Sequence, residues 1–397
     1  MAPPQLPQDI IDEIVRHLCR DTITLKACSI ASRTFFPPSR RALFSRIVLE
    51  TPRSLLRLNH LLEQSSEISK LVYTVHIHNY IISLISTPSV STVLQLPQLR
   101  HLIIGNDNNY FDWSYIPPEN AGTLETLITS GNLHSLEFIC AYHVPTSLIR
   151  AASSITSLTL EVSVLYDDTN INDPPVPNLT NLEALHLGFE VVLGLSYWEP
   201  FTTPNLHQLS ILGTERQTLK NMQNILIAAS SSIQNIIWRE YSFSPYVPHS
   251  QSIDLGILSN LRFLSFVTSD YSRLDSGSSE ATWRSIINIL KDSTVVKNIQ
   301  RLSVVITTSR MIASDTPSSA LFGIGDILWN EIDTVLTNMS RPSKSCQVYF
   351  YLDYVGWDGT TREQSLCTTI RERLPVLNHS KLLFINSVQD LDWRILL

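Results

Sequence analysis

The sequence predicts an α/β chain: three short helices at the N-terminus, one linking helix, then an irregular array of strand/helix units running to the C-terminus. Two observations predict it. From residue 68 onward a pattern of apolar, two variable, apolar, one variable, apolar returns again and again, whereas the first 45 residues space their apolar positions three and four apart. Composition agrees, since 43% hydrophobic residues, 16% charged residues and only 12 glycines in 397 positions suit a folded chain with a sizeable core.

In the opening segment LPQDIIDEIVRHL, Leu6 to Leu18, the residues Ile10, Ile11, Ile14, Val15 and Leu18 form one stripe. Asp9, Asp12 and Glu13 load the first turns with negative charge, where the helix dipole favours it, and Pro7 suits the helix entry. A second helix is expected over Thr24 to Ser32, with Leu25, Cys28, Ile30 and Ala31 apolar. Phe35 and Phe36 follow, then a break at Pro37 and Pro38, and a third helix carrying Leu43 and Phe44. These elements set a helical domain at 1–50 and a linker helix at 51–67. So small a module sits near the lower limit of independent stability, so apolar surface left over is expected to meet a partner.

The repeat array is expected over 68–397. Its matches are Val72, Val75, Ile77; Leu99, Leu102, Ile104; Leu133, Leu136, Phe138; Ile155, Leu158, Leu160; Leu182, Leu185, Leu187; Leu206, Leu209, Ile211; Ile233, Ile236, Trp238; Leu261, Leu264, Phe266; and Ile299, Leu302, Val304. Successive last positions lie 27, 34, 22, 27, 24, 27, 28 and 38 residues apart. Each match reads as a short strand with its last two apolar residues on one face. Helices are expected between matches, most clearly over Thr218 to Ala229, Glu280 to Leu290 and Ile324 to Leu336. Thr360 to Glu363 has capping-box spacing, and Pro375 stands where that helix should stop. Looser units are expected at Val348, Phe350 and at Leu382, Phe384. One strand and one helix cannot bury an apolar face alone, so the units should stack around a continuous core. An ordinary doubly wound sheet is the second choice, for want of a glycine-rich turn after a strand.

Chemistry is hard to find in this sequence. No two glycines have serine-elbow spacing, no glycine precedes a lysine, and Gly323-x-Gly325 meets Leu328 where a third glycine should stand. His76 and His78 share a strand face, yet two histidines make an incomplete metal site, and the chain is expected to need no metal and no cofactor. The pairs Asp167, Asp168 and Asp390, Asp392 read as solvated turn residues. A net charge of -7 argues against nucleic acid, and the basic run Arg33, Arg40, Arg41, Arg46 reads as the solvated side of short helices. Cys19, Cys28, Cys140, Cys346 and Cys367 read as reduced core residues. With no secretory signal and no membrane span, the cytoplasm or nucleus is the expected compartment.

The repeats resemble the leucine-rich repeat family over roughly 68–310. The family's Asn or Cys three positions after the last apolar residue is replaced by Asp107, Ala141, Ser163, Glu190, Thr214, Tyr241, Ser269 and Thr307, so an irregular solenoid is expected. The N-terminal segment resembles an F-box: Leu6, Pro7, Ile10, Ile11, Ile14, Leu18, Leu25, Cys28, Ala31, Arg33, Phe35, Leu43 and Phe44 follow its order, with Ser32 in place of a common Cys and Phe35 in place of the usual Trp. The resemblance implies a non-catalytic substrate receptor of an SCF-type cullin-RING ubiquitin ligase. Leu6, Pro7, Ile10, Ile11, Ile14, Leu18, Leu25, Cys28, Ala31 and Phe35 would bind a Skp-family adaptor and, through it, a cullin. The repeats would bind an unknown protein substrate. Residues alternating with the strand core offer that surface, among them His101, Glu137, His186, Gln208, Arg239, Phe263 and Arg301. The loops Asn106 to Asn120, with Trp113, and Tyr241 to His249 would add aromatic anchors. The alternative is a repeat scaffold whose N-terminal helices only cap the array.

Overall fold

All 27 residues of the nine triplets are buried, and this is what organises the chain. The computed structural model describes residues 6–19, 21–78, 96–106, 110–161, 165–166, 179–188, 204–212, 223–241, 254–270, 276–291, 298–308, 326–339, 346–354 and 360–387. They divide into two compact units: Met1–Ile155 with Ser163–Val176, and Thr156–Val162 with Pro177–Leu397. No helix among the described residues is long and apolar enough to cross a membrane.

The first unit opens with three helices, α1 (Gln8–His17), α2 (Thr22–Ala31) and α3 (Phe36–Ser45). Asp21 caps α2 by accepting the Thr24 N–H at 2.9 Å, which satisfies a donor that has no partner inside the helix. Pro37 and Pro38 do not break the chain as expected. They occupy the first turn of α3, where a missing N–H costs nothing. The helix runs straight into β1 (Arg46–Leu49), so the expected boundary at residue 50 falls just after a strand rather than before one. Next come α4 (Pro52–Gln64), started by a Thr51/Ser54 capping box, and α5 (Ser66–Ser69). Then β2 (Thr74–Ile77), β3 (His101–Gly105) and β5 (Ser135–Ile139) extend β1 into a parallel ladder in that order. Two short pairs lie beside it, β4 (Phe111–Asp112) with β6 (Ala141–Tyr142), and β7 (Val144–Pro145) with β9 (Leu165–Tyr166). Helices α6 (Pro118–Thr129) and α7 (Thr146–Ala151) complete the unit. Gly105 ends β3 with φ +115°, and a Cβ there would lie 1.8 Å from the Ile139 oxygen, so only glycine fits.

The second unit is a purely parallel ladder of β8 (Ser157–Glu161), β10 (Ala184–Leu187), β11 (Gln208–Leu212), β12 (Asn235–Tyr241), β13 (Phe263–Asp270), β14 (Arg301–Thr308), β15 (Gln347–Tyr354) and β16 (Leu383–Ser387). Each core residue stands in register with its counterpart in the next repeat: Leu185 with Leu209, Ile236 with Leu264, Phe266 with Val304. Stacked in this way, the strands form a leucine-rich-repeat-like α/β solenoid. Full burial of each such side chain contributes about 1.5–3 kcal/mol.

In place of the family's Asn or Cys ladder, which the sequence lacks, some repeats carry another. In four repeats the residue before the first core position sends its side chain to a backbone carbonyl of the preceding repeat. Ser154 reaches the Leu133 oxygen at 2.8 Å, Asn205 the Thr180 oxygen at 2.7 Å and Asn298 the Ser259 oxygen at 2.8 Å, and Asn260 binds the Ser231 oxygen in the same way. These side chains satisfy carbonyls in the turns, where no strand partner is available.

Helices α8 (Ser276–Lys291), α9 (Asp326–Met339) and α10 (Thr360–Arg373) fall on the predicted Glu280, Ile324-onward and Thr360 segments, residues 324 and 325 lying outside the described ones. Residues 223–228 are helical within the predicted Thr218 to Ala229, whose first five residues lie outside the described ones. Trp283 of α8 ties the helical layer to the strands, stacking on Phe350 at 6.5 Å and lying 6.0 Å from Trp329. Helix α10 ends at Arg373, just before Pro375 as expected, and Pro375 itself begins another helix, α11 (Pro375–His379). Buried Asp333 caps α11 by accepting the Val376 and Leu377 N–H groups, each at 3.0 Å. Replacing Asp333 by Ala is therefore expected to cost about 2–4 kcal/mol, since two buried donors lose a charged acceptor. Urea unfolding curves would show it, and a loss under about 0.5 kcal/mol would refute the capping role.

One expected core set is wrong by a single residue. In β16 the residues in register with Val348 and Phe350 are Leu383 and Ile385, while Phe384 pairs with Tyr349 on the opposite face. A slip of one residue exchanges the faces of a strand.

Candidate functional site

The helix α1 is amphipathic enough to be divided. Ile11 and Val15 point inward at 2% and 4% exposure, while Leu6, Ile10 and Ile14 stand outward at 55%, 45% and 37%. Residues 10 and 14 are one turn apart, so they share a stripe. Helix α2 repeats the arrangement: Leu25 is fully buried, and Ile23 and Ile30, two turns apart, are 80% and 86% exposed. Phe36 adds a half-exposed ring, with Arg40 lying 5.9 Å from its centre. Together these side chains leave an apolar surface open to solvent on so small a helical unit.

Of the expected adaptor residues, Leu6, Pro7, Ile10, Ile14 and Ala31 are exposed, and Leu18, Cys28 and Phe35 are partly buried. Ile11 and Leu25 are interior, so they hold the helices together and offer nothing to a partner. Ser32 makes a local turn, its hydroxyl 2.6 Å from that of Thr34. Ile30 is among the apolar positions expected in this helix and Ile23 is not, and neither belongs to the expected adaptor set; their seven-residue spacing is the signal that they share a stripe.

The strand faces turned away from the helical layer hold most of the expected substrate residues. In the first unit His101 and Glu137 lie on adjacent strands β3 and β5, Glu137 in register with Ile103. Burial, and then the nearby His134, hold the His101 imidazole below its usual range. Trp113 is not a surface anchor. It is 6% exposed and sets its ring edge-on against Phe138 at 6.1 Å, filling a gap at the strand ends, whereas Tyr110 and Tyr115 are the exposed rings of that loop. The Tyr241 to His249 loop lies outside the described residues beyond the Tyr241 backbone, as do both aspartate pairs.

In the second unit the register brings Gln208, Asn235, Phe263 and Arg301 into one row across β11 to β14. His186 stands opposite Ser210 in the next row, and Arg239 lies one row further along. This face is not the uniformly open surface expected, because Ile237, Val305 and Tyr351 form a second buried cluster on it, with Val267 and Tyr349 packed against them. Several polar atoms here are buried without a hydrogen bond, including His186 Nδ1, Ser210 Oγ, Ser265 Oγ, Arg239 Nε and Arg301 Nε. Burial, reinforced by the Arg239 guanidinium, pushes the His186 imidazole down to about 3, so it is neutral at physiological pH.

Constellations with chemical potential resolve into structure. The His76 ring contacts the Gly105 oxygen at 2.8 Å and His78 meets Asn106 at 3.2 Å, so both stitch β2 to the end of β3. No group of three potential metal ligands exists among the described residues. Ser114, Asp112 and His143 gather beside β4, but the Ser114 hydroxyl donates to the carboxylate at 2.6 Å rather than to the imidazole. Burial tends to raise the Asp112 carboxyl, yet the bonds from Ser114 and His143 outweigh it and hold the group below its usual range. Of the five free thiols, Cys140 and Cys346 are buried as expected, whereas Cys19 is exposed and Cys28 and Cys367 are half-buried. Burial raises the Cys346 thiol to about 11, which makes it a poor nucleophile.

No family model matches the chain, and no curated protein does. Among solved structures the chain is similar to internalin C2 from Listeria monocytogenes, at 13% identity over 66% of this chain and 82% of that one, with a TM-score of 0.27. It is also similar to a chain in the crystal structure of the Rad7 and Elc1 complex in yeast, at 12% identity over 79% and 87%, with a TM-score of 0.32. Likenesses this distant add nothing to what the strand register establishes about the fold.

Proposed function

We propose that this chain is the substrate-recognition subunit of an SCF-type cullin-RING ubiquitin ligase. Its N-terminal helices would dock a Skp-family adaptor and thereby a cullin scaffold, and its repeats would hold the protein to be ubiquitylated. The chain itself would perform no chemistry; it would position one protein for reaction by other subunits.

The observation that supports this reading best is the split stripe of α1. A helical unit that merely capped the repeats would turn its apolar residues inward, whereas Leu6, Ile10 and Ile14 face solvent beside a folded interior of Ile11, Val15 and Leu25. The F-box-like order of residues supports an adaptor of the Skp family as the partner, and the exposed stripe supports this face as its surface.

The test is co-expression of the full chain with a Skp-family adaptor. The intact protein is expected to co-purify with it, and Leu6→Ala with Pro7→Ala is expected to weaken capture by roughly tenfold, the cost of removing one well-packed apolar contact. Wild-type protein that retains no adaptor at micromolar concentration would overturn the proposal.

A further inference from the structure

Arg301 opens β14 in register with Phe263 on one side and Gln347 on the other, both of them exposed. Its guanidinium lies 4.2 Å from the centre of the Tyr349 ring and donates from Nη2 to the Tyr351 hydroxyl. Tyr349 is itself fixed on three sides. It stacks on Phe384 at 4.8 Å and on Tyr351 at 6.0 Å, and its hydroxyl donates to Gln347 Oε1 at 2.9 Å. The guanidinium is therefore held in place before any ligand arrives, so little side-chain entropy remains to be lost on binding.

Its charge meets no opposite charge among the described residues. The Nε of Arg301 is buried without a hydrogen bond, although the aromatic rings around it shield it from water. Arg239 on the same face differs: burial disfavours its charged form, but Glu161 lies near enough to favour it. A half-buried guanidinium whose contacts are neutral calls for an oxyanion, which it can bind with charge-assisted hydrogen bonds. The two arginines that the described residues place on this face, in a chain with net charge -7, are too few to follow a nucleic-acid backbone.

We propose that Arg301 anchors an anionic group, a carboxylate or a phosphate, carried by an extended segment of a partner protein, while Phe263 takes an apolar residue next to it. The proposal deepens the receptor reading by naming the chemistry of the substrate segment, and it rests on that reading for the partner being a polypeptide.

Selection of a random-peptide phage library on the full chain, without adaptor, tests it. Enriched peptides are expected to carry Asp or Glu beside an apolar residue. As synthetic fluorescent peptides they are expected to lose affinity roughly tenfold when the acid becomes Asn or Gln, and by a similar factor against Arg301→Gln. Arg301→Lys should recover only part of the loss, because an ammonium cannot reproduce the stacked planar fork. A phosphoserine version of each peptide distinguishes the sources of the anion: tighter binding marks phosphate, weaker binding a carboxylate. No enrichment together with no binding to an array of synthetic phosphoserine peptides, enrichment without acids, or equal affinity for acid-neutralised peptides would overturn the proposal, and the last result does not depend on any variant folding. Adaptor capture is scored separately, so failure of the ligase reading and failure of the Arg301 site give different outcomes.

Discussion

Replacing Ile10 and Ile14 together by glutamate is expected to abolish capture of a Skp-family adaptor, weakening it by roughly a hundredfold or more, with the melting temperature almost unchanged. The two side chains are exposed and lie one turn apart, so the folded chain gives up little when they become polar. In a dry interface each would forfeit roughly 1.5–3 kcal/mol of apolar burial and add a charge that has to be desolvated. The matched control is Ile11→Glu. That residue is 2% exposed on the same helix, and a carboxylate there would have to enter the interior without a partner, so the helical unit should unfold. Adaptor titration by calorimetry, alongside thermal melts, separates the two cases. Unchanged adaptor affinity in the double variant would mean that the outward stripe is not the docking surface. Repeating the measurement with Ile23→Glu and Ile30→Glu tells whether α2 shares it.

How much of this was legible beforehand depended on whether a residue's position is set by its own strand or by its neighbours. The nine triplets were readable because two-residue alternation ties a face to the core, and every one of those positions is buried. Residues 382–385, Leu-Leu-Phe-Ile, carry no alternation, and the choice of face was made by pairing with Tyr349, which no local pattern reveals. The substitute ladder of Ser154, Asn205, Asn260 and Asn298 is visible as a short polar residue one place before a core residue, but it lies outside the position where the family carries its Asn or Cys, so the family pattern does not point to it. Helix α1 announced a stripe, yet not that the stripe would be divided between an interior and a surface. Helix α2 was harder still, since Ile23, Leu25, Cys28 and Ile30 surround its axis and only Leu25 is fully buried. The second cluster of Ile237, Val305 and Tyr351 depends on side-chain heights across neighbouring strands, a property of the assembled sheet.

His186 gives the second large effect, a loss of stability in acid that one substitution should remove. In the unfolded chain the imidazole takes up its proton near pH 6.5, whereas in the fold it does so only near about 3, because of burial and then the Arg239 guanidinium. Between those values the unfolded state binds the proton and the folded state does not, so stability is complete above pH 6.5 and falls as the pH drops through that window. Below about 3 both states are protonated and the loss stops growing. At about 1.4 kcal/mol per pH unit the whole window caps the effect near ~5 kcal/mol, and roughly half of it should be visible by about pH 4.5. Thr159 and Ser210 flank His186 on the neighbouring strands and do not titrate, and Glu161 sits close to Arg239 to temper its field. His186→Gln keeps a polar side chain of similar reach without the proton, so its urea midpoint should fall less steeply between pH 7 and pH 4.5 than that of the wild type. Parallel profiles would mean that His186 is protonated in the fold at ordinary acidity. The buried, unpaired Nδ1 would then have to be open to water, and the second cluster on this face could not be as closed as its packing indicates.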